Sequence, residues 1–265
     1  MNRSSVAIIF AVIYSAIAGV YFANTSTKLQ GIIFLLPPLL ATVMGLYAAS
    51  TYKLSNIHGK SMAFLAAGMA FFFIGETLFF MYQYVFHKMP FPSVADVFYL
   101  LAYPLILAGL MIEVKMHKPR LSEFNRTTTT VMGGILVALV AVVTYFGIYK
   151  AYDPDATFLA NWIATSYGIA DLIIIVPAMY VLKLAFDFKG GKLFNSWIMI
   201  FFAMLFMLSG DILFASYSTQ YSDSIWPYTL IDLCWVASYL LFGYSFFYTA
   251  SVLRELRQKL VKPKH

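Results

Sequence analysis

Charge is what this sequence has least of: only 11% of its 265 residues are Asp, Glu, Lys or Arg, against 61% that are hydrophobic. A chain with a mean hydropathy of +0.77 cannot keep the surface of a water-soluble globule wet, so lipid is its expected solvent. A single cysteine, Cys234, excludes an intrachain disulfide and a cysteine-based metal site, which leaves it as a small packing residue. The four histidines form no metal-binding motif, and His87 stands alone, so neither metal nor cofactor is expected. No Ser/His/Asp constellation is visible. No apolar stretch alternates with period two, which excludes a membrane barrel and leaves a helical bundle as the way to satisfy the backbone.

What is present is a series of apolar runs, each near the ~20 residues a helix needs to cross the hydrocarbon core. Eight are expected, at approximately 6–23, 31–50, 61–84, 94–114, 129–149, 158–182, 193–217 and 229–252. The first also fits a secretory signal, with Arg3 ahead of it and small residues near Ala23. Cleavage would leave seven spans, but the run is long for a signal core. Arg3, Lys53, Lys60, Lys115, Lys118, Arg120, Arg126, Lys183, Lys189, Lys192, Arg254, Arg257, Lys259, Lys262 and Lys264 all fall on one side of this topology. Lys28, Lys88 and Lys150 fall on the other, so the positive-inside rule places both termini in the cytoplasm. The net charge of +6 is thereby topological, and nucleic acid is not an expected partner.

Residues 75–82 read GETLFFMY and residues 210–217 read GDILFASY, with Gly, Leu, Phe and Tyr in register and an acid in second place. Asp96 follows Glu76 by 20 residues and Asp232 follows Asp211 by 21; Tyr103 and Tyr239 each lie seven further on. The pattern predicts a four-helix unit used twice, residues 1–126 and 127–252, followed by a basic tail at 253–265. Four spans per unit would relate the two by an axis along the membrane normal. Pro37, Pro38 and Pro104 have no counterparts at equivalent depth in the second half, where Pro177 lies nearer the cytoplasmic end.

Acids inside the spans are costly and carry the functional expectation. Glu76 and Asp211 are predicted about 7 or 8 residues from the outer ends of their helices, roughly 10 to 12 Å deep, and Asp171 near the middle of its span as a proton or polar site. No Lys, Arg or His is expected at that depth, so these acids should carry protons, share them, or bind a cation or hydrogen-bonding ligand; a protonated carboxyl can also simply join two helices. Ser93 with Asp96, and Thr229 with Asp232, have the spacing of a capping box. Asp96, Tyr99 and Tyr103, like Asp232, Trp235 and Tyr239, follow i, i+3, i+7, so each acid heads an aromatic face. Together with Glu76 and Asp211 these residues form a candidate outward-facing cleft for a cationic or amphipathic small ligand. Interfacial aromatics and core packing account for the same stripe.

The segment FPSVADVFYLLAYPLILAGL, residues 91–110, resembles the Pro-Ser-x-Ala-Asp, Tyr-Leu, Tyr-Pro, Gly-Leu pattern of multi-helix membrane sensor regions that precede GGDEF and EAL domains in many bacterial proteins. Gly75 and the acid after it fit the helix upstream; the likeness is strongest over residues 70–110. It implies a sensory module of the prokaryotic cytoplasmic membrane, with Asp96, Tyr99, Tyr103 and Pro104 at matching positions. No GGDEF, EAL or kinase domain follows the eighth span, so signalling through a separate partner is expected, with the tail from Arg254 to His265 against that partner or anionic lipid. Two other readings stay open. One is a small proton- or cation-coupled transporter, favoured by the repeat and the acids. The other is an intramembrane lipid hydrolase resembling the lysoplasmalogenase family and using paired carboxylates.

Overall fold

The computed structural model describes residues 2–23, 25–121, 126–187, 193–224 and 226–261, and everything described is helix, turn or loop. Eight helices are long and apolar enough to cross a membrane: Arg3–Phe22, Thr27–Tyr52, Ile57–Tyr84, Val94–Met116, Thr129–Tyr149, Phe158–Lys183, Phe194–Ser216 and Tyr228–Lys259. Lys189, Lys192, Lys262 and Lys264 of the charge pattern lie outside the described residues.

In chain order the helices are α1 (Arg3–Phe22), α2 (Thr27–Phe34), α3 (Leu36–Tyr52), α4 (Ile57–Tyr84), α5 (Val94–Leu121), α6 (Arg126–Val142), α7 (Phe158–Asp187), α8 (Phe194–Ser216), α9 (Ser218–Ser222) and α10 (Tyr228–Val261). The second span is two helices because Pro37 and Pro38 supply no amide hydrogens; α3 starts afresh with proline in its first turn. A π-helical segment, Val143–Tyr149, continues α6.

Six spans close a ring: α3 packs on α4, α4 on α5, α5 on α7, α7 on α8, α8 on α10, and α10 back on α3. The other two stand outside it, α1 against α10, and α6 with its π segment against α7 and α8. Burial follows that order, from 72% of the most apolar window of α10 to 11% of that of Thr129–Tyr149. Val137, Val140, Tyr145 and Tyr149 are consequently exposed, as lipid permits.

Two features fix the ends. The Arg3 guanidinium donates to Ser251 Oγ at 2.8 Å and to Glu255 Oε2 at 2.7 Å, so the start of α1 and the end of α10 share one side of the bundle. Glu255 also pairs with Lys259 one turn on, and Arg254 lies over the Tyr47 ring. These contacts carry α10 past the expected end at 252, so most of the basic tail is a continuation of the helix.

Candidate functional site

The residues that position the acids are glycines. In α4, a Cβ on Gly75 would stand 2.6 Å from the Tyr99 ring; in α8, a Cβ on Gly210 would stand 2.5 Å from Trp235 Nε1. Neither space admits a methyl group. Each glycine lets an aromatic side chain from the next helix lie flat on the backbone and reach the acid one residue on. Tyr99 donates to Glu76 Oε2 at 2.9 Å, and Trp235 donates to Asp211 Oδ1 at 2.9 Å.

The remaining oxygen of each acid is taken from across the ring. Tyr239 of α10 donates to Glu76 Oε1 at 2.8 Å, and Tyr103 of α5 donates to Asp211 Oδ2 at 2.9 Å. Phe72 lies between, its ring 5.9 Å from Tyr103 and 6.0 Å from Tyr239. Glu76 and Asp211 thus share one centre, each held by an aromatic donor from its neighbouring helix and another from the far half of the chain.

Asp96 and Asp232 lie nearer the starts of α5 and α10. Asp96 Oδ2 accepts from the Ser93 amide at 2.6 Å while Ser93 Oγ accepts from the Ala95 amide at 3.1 Å, a reciprocal cap that differs from the capping box of that spacing in using the Ala95 rather than the Asp96 amide. Its other oxygen accepts from Tyr167 of α7 at 2.7 Å. Asp232 differs. α10 begins at Tyr228, one residue ahead of Thr229, and the Leu230 and Ile231 amides bond to the Pro227 carbonyl, so Thr229 is not the cap. The Asp232 carboxyl instead accepts from Tyr21 at 2.7 Å and from Tyr221 at 2.8 Å. Tyr221 sits on the short α9, beyond the span; burial and the facing Asp232 hold its phenol well above its ordinary pKa, so it remains a donor.

Asp171 is placed differently from the other four. It lines a cavity of about 20 Å³ with Phe72, Tyr103, Met204 and Phe242. Tyr103, on the same cavity, is the residue that donates to Asp211.

All nine residues expected from the sequence are therefore described: Glu76, Asp211, Tyr99, Tyr103, Trp235 and Tyr239 pair with one another, while Asp96 and Asp232 take donors from outside that set. Asp211 lies 5 residues from the end of α8, about 8 Å along the axis, while Glu76 lies 8 from the end of α4, about 12 Å. Sequence reasoning missed the donors Tyr21, Tyr167 and Tyr221. Tyr167 stood one turn before Asp171, a spacing that places both on one face of α7. It also passed over Glu113, 1% exposed, whose carboxyl meets His58 Nδ1 at 3.0 Å near the opposite end of α4. Among the described residues no group of three His, Cys, Asp or Glu side chains is arranged to hold a metal ion.

Five carboxyl groups, four of them saturated by phenol, indole or amide donors, can take up protons or exchange a donor for a small cation. No family model matches the chain, and no curated protein or solved structure matches it either.

Proposed function

We propose that this protein is a multi-pass membrane sensor whose input element is the Glu76/Asp211 centre, and whose input is a proton or a small cation reaching it from the outer side. The crossed hydrogen bonds carry this reading: Tyr239 reaches Glu76, and Tyr103 reaches Asp211, so both acids tie one half of the chain to the other. A proton added to either carboxyl turns an acceptor oxygen into a donor; a tyrosine facing that oxygen must reverse its hydroxyl to accept or let go, and Trp235, which cannot accept, must let go of a protonated oxygen. Interhelical hydrogen bonds in membranes average about 0.6 kcal/mol and reach about 1.7. Losing two shifts a two-state packing equilibrium by roughly 1–3 kcal/mol, a factor of about 5 to 150.

The unit used twice belongs to the same proposal. Its support extends beyond the acids: Ser61 donates to the Gly109 carbonyl at 2.9 Å, and Ser196, 135 residues later, donates to the Ser245 carbonyl at 3.2 Å. Pro92 and Pro227, also 135 apart, precede Asp96 and Asp232. The first spans of the two units depart from the pattern, α1 lying on α10 and α6 on α7 and α8.

With both termini in the cytoplasm of a prokaryotic cell, as the charge pattern favours, displacement of α10 at the acid centre is carried along one continuous helix to Arg254, Arg257 and Lys259. That end is the place for a separate signalling partner, in keeping with the resemblance to GGDEF- and EAL-linked sensor regions. Trp235 supplies the test, because its indole reports on Asp211. In lipid discs, tryptophan fluorescence should pass through a transition as pH falls or cation concentration rises. Trp235→Phe should remove the signal and Asp211→Asn the transition; a transition unaltered in Asp211→Asn and Glu76→Gln rejects the acid centre as the input.

A transporter reading keeps one observation of its own: Asp171 and its cavity extend the acids toward the middle of the bundle. Counterflow of a cation or cation-coupled solute in sealed vesicles would move the assignment there.

A further inference from the structure

Counting protons against acceptors singles out Asp171. Each oxygen of Glu76, Asp211, Asp96 and Asp232 meets a donor: Tyr239 and Tyr99, Trp235 and Tyr103, Tyr167 and the Ser93 amide, Tyr221 and Tyr21. Those four are satisfied as carboxylates. Asp171, 8% exposed, lines the same small cavity as Tyr103, whose one hydroxyl proton is already given to Asp211. A phenol oxygen has no second proton to donate but retains lone pairs to accept.

We propose that Asp171 and Asp211 hold one proton between them and exchange it through the Tyr103 hydroxyl. In one state Asp171 is the neutral acid and donates to Tyr103, which donates to the Asp211 carboxylate. Transfer breaks the Asp171 O–H bond as an O–H bond forms on the Tyr103 oxygen. The original Tyr103 proton passes to Asp211, where a new O–H bond forms. The two shifts carry one proton net from Asp171 to Asp211, Tyr103 is neutral before and after, and nothing is oxidised or reduced. The adjoining cavity of about 20 Å³ is large enough for one water, for which about 10–15 Å³ suffices, so Asp171 and Tyr103 can also be joined through a water.

The surroundings keep the pair isolated. Leu136, Leu139 and Val143 of α6 and its π segment pack on the neighbouring seam of α7. Phe72 of α4 and Phe242 of α10 wall the cavity. Tyr103 of α5 lines the same cavity and bonds to Asp211 of α8, Tyr167 precedes Asp171 by one turn on α7, and Glu76 on α4 is occupied by Tyr99 and Tyr239. Tyr167 in turn bonds to Asp96 near the outer end, which gives the relay a line of polar groups toward the outer side.

The inference rests on the proton reading of the acid centre and adds where the proton comes from. Infrared absorption of protonated carboxyl groups, recorded in lipid discs at neutral pH with isotope-labelled aspartate, locates it. Wild type should show one protonated aspartate, lost in Asp171→Asn and retained in Asp232→Asn. Asp211→Asn should displace that band when Tyr103 is present and leave it in place in a Tyr103→Phe background. Absence of the band in wild type, its survival in Asp171→Asn, or an equal displacement in both backgrounds overturns the relay. The band reports where the proton sits and not whether the helices respond. Failure here would therefore leave the Trp235 titration intact, and failure of the sensor reading would leave the band shifts intact.

Discussion

Replacing Gly210 by alanine tests the close approach on which the acid centre depends. The added methyl would stand 2.5 Å from Trp235 Nε1 and 2.6 Å from its Cδ1, against backbone on one side and a rigid indole on the other. The indole must retreat by roughly 1 Å to restore van der Waals contact near 3.5 Å, which lengthens its 2.9 Å bond to Asp211 beyond hydrogen-bonding range. Overpacking costs about 1–3 kcal/mol. The lost interhelical bond adds about 0.6–1.7 kcal/mol, for a total of roughly 2–5 kcal/mol. Gly133→Ala is the control, since a Cβ there meets nothing within 4 Å; helix propensity makes it neutral or slightly stabilising. Reversible unfolding in mixed micelles would measure both. Equal stability of Gly210→Ala and Gly133→Ala would refute the packing reasoning, as would failure of Trp235→Ala to relieve the Gly210→Ala penalty in the double variant.

Gly75→Ala should behave like Gly210→Ala, with Tyr99 in place of Trp235, and unfolding in the same micelles checks it. Asp96→Ala removes a reciprocal cap and should cost about 0.5–2 kcal/mol, whereas Thr229→Ala, which caps nothing, should cost less than about 0.5. Tyr221→Phe releases α9 from Asp232 and should speed amide hydrogen exchange across Ser218–Ser222 while leaving α8 protected. Arg3→Ala should lower stability by less than about 1 kcal/mol, because its ion pair with Glu255 is partly exposed.

The eight spans were legible because a bilayer leaves little choice: a run of ~20 apolar residues with no charge has only one backbone solution. Where the structure departs from the hydropathy reading, local chemistry is responsible. Pro37 and Pro38 split the second span, and Glu255, paired with Arg3 and Lys259, keeps α10 helical where a basic tail was expected. The acids were legible for the same reason as the spans, since a carboxyl in lipid needs an explanation. Which donor meets which acid was not. Tyr239 was expected on the face headed by Asp232 but donates to Glu76, 163 residues away, and Tyr167, 71 residues from Asp96, is one of 19 tyrosines that no spacing rule picks out. The capping box illustrates both outcomes: the same pattern forms at Ser93 and Asp96 but is pre-empted at Thr229 by Pro227, which frees Asp232 for two phenols.

The central claim is that protonation at Glu76 and Asp211 loosens the seam between the halves, and a distance between the C-terminal ends of α4 and α8 measures it directly. Spin labels at Val85→Cys, after α4, and Tyr217→Cys, after α8, both exposed and placed in a Cys234→Ala background, report that separation in lipid discs. The account predicts a distance distribution that changes on acidification in the otherwise native protein. It also predicts that Glu76→Gln with Asp211→Asn holds the distribution in its acidic form at every pH. A distribution that does not move with pH, or that moves equally without the two carboxyl groups, would contradict it.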